Sequence, residues 1–574
     1  RHTSVSLHRI ALGRFLAKPL LDTLVLALLA AGTWMATHRY QGIWHDGVLY
    51  AGQAIFRMDP VPFAKDLFFA YGSQDGFTGF TGIYALAIQK LGLPTASKVL
   101  VGIAHVVWFA AAAFLLRGVL KGLVFWQALI LVTVLPQTYG SFAIFSYSET
   151  FLTARIWAEP PALLAVACIL RGQKVAAVVS LVFAVVMHPV IAFPAALFVF
   201  LFGFRGRQRL VCALLGFAGL TTLLLAGVPP FANLTKAMDP LWLRLSTERS
   251  PFVFLAHWKA YEYREPIFLA LLLATAALAS GGESRRVWWS ALGVFLVGMG
   301  LALLAVYWPG VLLVQMQPWR VLWLTKILAV AAGMRLLQDM WLASPYSRVL
   351  LGALVACIFT IDSTGLVCAV FVSVLIVARQ RFGFEPRVPT WLPKLAWSVV
   401  VVVIGEKVVW AILLSSVSFD LSASSLANLS LANRLFMVCK ESGWLVFPPL
   451  MFGAWWLLRH HPTSRGWLAL LVGSAVLFCA GNWHRTNRYE AEEDHIRATG
   501  AVELAKIIQP RHLVYWGEGY HRLWFILHRG SYASTQQAAG LIFSRQTAIE
   551  SDRRLARLRK LGLPDSRLDW LPKR

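Results

Sequence analysis

Ionisable residues set among aromatic and aliphatic ones mark four stretches of this chain as places where chemistry could be done. The first reads WHDGVLYAGQAIFRMDPVPFAKDLFFAYGSQDGF over 44–77 and carries Asp46, Asp59, Asp66 and Asp75. Asp46 follows His45 and precedes Gly47 and a helical pattern of Leu49, Tyr50 and Ala54. A carboxylate held at a partly desolvated boundary gains basicity, which suits a general base. Asp is equally a preferred helix N-cap, so both roles stay open for Asp46. Asp59-Pro60 reads as a turn. Asp66, in KDLFF, and Asp75, in GSQDGF, either cap helices or line the same cavity.

The second stretch, SYSETFLTARIWAEPP, places Glu149 in a loop and then Arg155 and Glu159 four residues apart on one helix face. They form either a structural ion pair that locks the helix or a phosphate contact (Arg155) oriented by Glu159. In the third, MHPVIAFP, the proline explains a break between two spans. His188 there is either a hydrogen-bonded turn residue or a ligand contact. The fourth, WPGVLLVQMQPWRVLWLTK, brings Gln315, Gln317 and Arg320 to the start of a span, with Lys326 deeper. Guanidinium can bind phosphate in a bidentate way; snorkelling to the interface is the alternative for Arg320. No Walker A, GxSxG, HExxH or Rossmann fingerprint appears in a supporting context. The six cysteines show neither CxxC nor metal-ligand spacing.

The elements that must position these residues are membrane spans. Of 574 residues, 58% are apolar and 14% charged, and mean hydropathy is +0.63. That composition excludes a disordered chain, a disulfide scaffold and a simple soluble α/β enzyme. The expected fold class is all-α and polytopic, with about 13–15 transmembrane helices. Spans are expected near 18–37, 96–116, 122–141, 156–171, 174–188, 190–204, 209–228, 266–281, 287–308, 318–334, 348–362, 364–379, 395–415, 443–458 and 466–482. Residues 20–34 lack a following small-residue cleavage site and read as a retained first span.

The connections on the N-terminal side hold 21 Lys and Arg against three acids, Glu283, Asp339 and Glu385. The opposite connections hold 14 against 12. The positive-inside rule then puts the N-terminus in the cytoplasm and the loop 38–95 and the tail outside. Most of the +25 net charge is thus an orientation signal, and nucleic acid is not an expected partner. Two domains follow: a membrane domain over 1–482, with its first outer loop at 38–95, and an extracytoplasmic tail over 483–574. Strands at 512–516 and 523–527 and a basic helix over 546–560 make the tail a small α/β unit.

An N-in first span, an outer loop opening on an acid and a Tyr/Ala helix, many further spans and an outer C-terminal domain resemble the GT-C superfamily. Its members include protein mannosyltransferases, lipid A aminoarabinose transferases and mycobacterial arabinosyltransferases. The resemblance implies a glycosyltransferase that uses a polyprenyl-phosphate sugar donor and a glycan, lipid or protein acceptor, in a bacterial inner or other plasma membrane. Asp46 matches the family's catalytic base. On that reading Asp66 joins it in catalysis, and His45, Asp75, Arg155, Glu159, His188, Gln317 and Arg320 bind substrate. Many members carry two adjacent acids where this chain has His45-Asp46-Gly47. No cofactor is therefore expected; a divalent metal is possible, but the motif does not support one. The alternative is a transporter or flippase for a lipid-linked glycan. Against it, the sequence shows no internal repeat, and its polar residues cluster at the outer ends of spans.

Overall fold

The computed structural model describes residues 4–360, 363–421, 431–484, 501–517 and 519–563. The first helix, α1 (Ser4–Thr37), leads into a segment that holds α2 (Asp46–Met58) and α3 (Phe80–Leu91). Next come α4 (Leu93–Val119), α5 (Gly122–Val134), α6 (Ala154–Leu170), α7 (Lys174–Met187), α8 (Pro189–Gly203) and α9 (Gly206–Leu225). The middle of the chain forms α10 (Pro240–Arg249), α11 (Arg264–Ala279), α12 (Gly282–Tyr307), α13 (Val311–Met316) and α14 (Leu322–Met340). The apolar run ends with α15 (Pro345–Phe359), α16 (Ser363–Phe382), α17 (Trp391–Leu421), α18 (Leu431–His460) and α19 (Arg465–Gly481). The tail adds α20 (Ala501–Ile507), α21 (Tyr520–Arg522) and α22 (Arg545–Lys560).

Among the described residues six helical stretches are long and apolar enough to cross a bilayer unaided: Leu20–Thr37, Leu93–Val119, Gly206–Leu225, Gly282–Tyr307, Val311–Met340 and Ser363–Phe382. Shorter apolar helices, including α5, α7, α8, α15 and α19, run among them. The chain is an all-helical, multi-pass membrane bundle. Its outer surface agrees: α9 buries no residue at all, and α7 exposes Val175, Val178, Val179, Val182 and Phe183. Apolar faces of that extent are stable against hydrocarbon and not against water.

The centre of the bundle is α6, which packs on α4, α7 and α8. Its small residues Ala158, Ala162, Ala165 and Ala167 are fully buried and let those neighbours come close. At the other side, the Asp22 carboxylate of α1 accepts from Arg465 Nε and Nη2 at 2.7 and 3.1 Å, tying α1 to the start of α19.

Against an expectation of about 13–15 spans, six stretches among the described residues are long and apolar enough to cross unaided, and two local places also depart from the sequence expectation. The apolar run over 122–141 is helical only to Val134, because Pro136 stops the helix and a short hairpin follows. In that hairpin β1 (Thr138–Tyr139) pairs antiparallel with β2 (Phe145–Ser146). In the tail, β3 (Leu513–Val514) pairs in parallel with β4 (Gly530–Ser531), whereas the expected strand at 523–527 is a π-helical turn. An apolar run of that length fits either a strand or a buried helical turn; here Leu523, Trp524, Phe525 and Leu527 all face the core. The basic helix is present as α22. Residues 422–430 of the connection 416–442, and 485–500 and 564–574 of the tail, lie outside the described residues.

The tail is stitched to one end of the bundle. The Asp66 carboxylate, fully buried, accepts from Phe68 N, Trp524 Nε1, Ser531 N and Gln537 Nε2 at 2.7–2.8 Å. Gly52 of α2 lies so close to Trp524 that a Cβ there would meet the indole at 2.5 Å. Trp242 of α10 donates to Leu541 O at 2.8 Å, and Gln315 of α13 to Ile542 O at 3.2 Å. The tail therefore sits at the same end as α2, α10 and α13.

Candidate functional site

A cavity of about 790 Å³ opens where these pieces meet. Its lining comes from α2 (Asp46, Tyr50), the hairpin (Phe142, Phe145), α6 (Arg155), the start of α8 (His188) and α10 (Arg249). The turn after α13 adds Gln317 and Arg320, and the tail closes the cavity with Tyr520, His521 and Gln536. One wall is apolar: Val185, Val190, Phe193, Ala196 and Phe231.

The charged centre starts with the first residue of α2. Asp46 does not cap the helix: the N-cap is His45, at φ 48°, and makes no side-chain cap bond. Arg155 claims the carboxylate instead, its Nη2 lying 2.9 Å from Asp46 Oδ2. His45 Nδ1 stands 3.3 Å from the other oxygen. Burial works to raise the Asp46 carboxyl, but His45 and Arg155 outweigh it and hold it down at about 2, so the gain in basicity expected from its boundary position is reversed by these neighbours. The carboxylate is thus ionised at neutral pH and, with its side chain a quarter exposed, open to the cavity.

Arg155 is shared. Glu149 Oε1 accepts from its Nε at 2.9 Å and approaches its Nη2 at 2.7 Å. Both arginines are steered by one ring: the Phe145 centroid lies 3.9 Å from Arg320 Cζ and 5.0 Å from Arg155 Cζ. Arg320 Nε donates to Gln317 Oε1 at 3.0 Å, while its buried Nη1 has no protein partner. Arg320 lines the cavity, and a buried guanidinium nitrogen without a protein acceptor can take an anionic oxygen as its partner. His188 caps α8: Ile191 N donates to its Nδ1 at 3.4 Å. That fixes the neutral ring with its proton on Nε2, as a donor.

Of the residues expected to act on or bind substrate, His45, Asp46, Arg155, His188, Gln317 and Arg320 line this one cavity, and Gln315 joins them. Three lie elsewhere. Asp66 is enclosed by its four donors, and burial raises its carboxyl to about 6 against the pull of those hydrogen bonds. Asp75 sits in the turn Gln74–Phe77, with its carboxylate on the Thr81 hydroxyl. Glu159 faces inward, accepting from Trp108 Nε1 at 2.7 Å and Ser148 N at 2.8 Å. The expected Arg155–Glu159 pair does not form. Arg155 stands in the first turn of α6, and side chains there lean toward the helix N-terminus, which carries it to Asp46 and Glu149.

Tyr50, Arg249, His521 and Gln536 were not legible as site residues. Arg249 lines the cavity and donates from its Nε and Nη2 to Thr535 O of the tail, at 3.0 and 2.6 Å. No local spacing announces such a contact. Backbone strain is a further mark of the site. Of six non-glycine residues with positive φ among those described, His45, Phe142 and Gln317 line the cavity, and Ala143 follows Phe142 directly. The strained hairpin is pinned by Glu262, which accepts from Ser141 Oγ and Phe142 N at 2.9 and 2.7 Å.

Among the described residues no group of three or more His, Cys, Asp or Glu side chains is arranged to hold a metal ion. The arrangement offers instead one ionised carboxylate, guanidinium groups beside it, neutral donors and an apolar wall. Comparison with protein families, curated proteins and solved structures gives no match for this chain.

Proposed function

We propose that this membrane protein is a glycosyltransferase of the GT-C kind, moving a sugar from a polyprenyl-phosphate donor to an acceptor hydroxyl at the extracytoplasmic face. The observation that carries the reading is one cavity that sets the Asp46 carboxylate beside Arg155 and Arg320, below a tail-built roof and next to an apolar wall. In the reaction, the acceptor oxygen attacks the anomeric carbon and the bond from that carbon to the phosphate oxygen breaks. The hydroxyl proton passes to Asp46. The negative charge that grows on the leaving phosphate is met by Arg155 and by Arg320, whose buried Nη1 has no protein acceptor, with His188 as a neutral donor. The wall of Val190, Phe193, Ala196 and Phe231 suits the first isoprene units of the donor. The basic connections support a cytoplasmic N-terminus and an outer tail in a plasma membrane of the bacterial inner type.

The test is to reconstitute the purified full chain in lipid nanodiscs and in vesicles with a radiolabelled polyprenyl-phosphate sugar and candidate glycan, lipid and peptide acceptors. Transfer of label in nanodiscs supports the proposal. Movement of the labelled lipid across the vesicle membrane without any transfer overturns it in favour of a transporter.

A further inference from the structure

The Arg155 guanidinium lies between two carboxylates of unlike exposure. Asp46 is a quarter exposed to the cavity, whereas the Glu149 side chain is 2% exposed. Glu149 is itself held on every side. Its Oε2 accepts from Thr153 Oγ1 at 2.6 Å, and its backbone oxygen contacts His105 Nε2 at 2.9 Å. The residue before it, Ser148, is kept at φ 51° by a bond from its N–H to Glu159 Oε2 at 2.8 Å. One carboxylate is therefore a fixed anchor, and the other meets whatever enters the cavity.

We infer that Glu149 is a positioning residue on which Arg155 pivots: an anionic headgroup entering the cavity draws Nη2 of Arg155 off Asp46 while Glu149 Oε1, which contacts both Nε and Nη2, keeps hold of the guanidinium. The inference rests on the phosphate reading above and deepens it. Without Glu149, Asp46 would be the sole carboxylate of a buried guanidinium, and Arg155 would have no fixed partner while it passes from Asp46 to the headgroup. With Glu149, Arg155 keeps one ion pair whether or not Asp46 is engaged, so the exchange is nearly balanced. The result is a base that is masked in the empty site and freed by the donor. Asp46 then loses a neighbouring cation and gains a neighbouring anion, and both changes strengthen it as a proton acceptor.

The test uses the full chain in phosphatidylcholine nanodiscs and methyl farnesyl phosphate, a phosphodiester whose single charge does not titrate near neutral pH. Calorimetry at pH 5 in buffers of different ionisation enthalpy reads the protons bound with it. The wild-type protein is expected to take up a fraction of a proton on binding, and Asp46→Asn none. Glu149→Gln, which keeps the shape and loses the charge, is expected to bind the probe at least as tightly but with proton uptake reduced about fivefold or more. Thr153→Val, which only loosens the Glu149 carboxylate, gives a smaller change in the same direction and guards against a misfolded Glu149→Gln. Proton uptake equal to wild type in both variants overturns the pivot and leaves the phosphate site standing. Uptake that persists in Asp46→Asn overturns it as well. A wild-type protein that does not bind the probe removes the phosphate site and the pivot together.

Discussion

Asp46 and Asp66 lie on the same connecting segment, twenty positions apart, and the fold gives them opposite surroundings. Asp46 meets cations and the cavity; His45 and Arg155 keep its carboxyl at about 2 against its burial. Asp66 is fully buried among four neutral donors, and burial lifts it to about 6. The contrast teaches that hydrogen bonds from amides and an indole do not replace a formal charge when a carboxylate leaves water. It also separates their surroundings: one aspartate lines the cavity, and the other binds Trp524, Ser531 and Gln537 of the tail.

Asparagine at each position breaks the comparison from opposite sides. Asp46→Asn should lower kcat for sugar transfer by at least about 100-fold, the usual reach of a general base, with the folded yield unchanged. Asp66→Asn should leave activity per folded molecule within a few-fold of wild type. It turns an acceptor-only group into one that must face donors, at a cost of about 1–3 kcal/mol. Thermal unfolding, and proteolytic release of the tail in detergent, would read that loss. Equal loss of activity in both variants, at equal stability, would erase the distinction.

The arginines sharpen the cavity side. Arg320→Ala should weaken donor binding by roughly 10-fold, the loss of one charge-assisted hydrogen bond, and Arg320→Lys should recover only part of it. Donor affinity unchanged in Arg320→Ala would take Arg320 out of the proposed phosphate site.

The smallest effects are those of pH. For Asp46 the folded value lies below the ordinary 3.8, so the stability it contributes is complete above that pH and is lost as pH falls through about 2. Its ionisation should therefore leave no acid limb in kcat/KM between pH 5 and 7. For Asp66 the folded value lies above 3.8, so its contribution is complete below 3.8 and is lost as pH rises through about 6. The tail should resist proteolysis slightly better at pH 5 than at pH 8, and Asp66→Asn should flatten that dependence.

The helices were legible because a membrane span needs only a long apolar run, and such runs survive any tertiary arrangement. The π-helical turn at Leu523–Leu527 was not, because five apolar residues fit a strand or a turn equally until Trp524 finds Asp66. The site was half legible for a related reason. Asp46 and Arg155 each stood out as a charge in apolar company, but the contact between them spans 109 positions. Arg155 was read with Glu159, its neighbour on the helix, while the backbone of Ser148 had already taken that carboxylate. Arg249 left no local trace, because its partner is a tail carbonyl.

The positive-φ residues around the cavity also bear on how this protein can be engineered. Glycine at Phe142 or Gln317 would relax a backbone that φ values of 57° and 45° keep under strain. Such changes would be favoured in any selection for melting temperature alone. They would remove a cavity wall in one case and the partner of Arg320 in the other. Variants of this chain hardened for crystallisation or electron microscopy should thus be chosen with ligand binding as a second criterion, since the residues easiest to relax are those that shape the pocket.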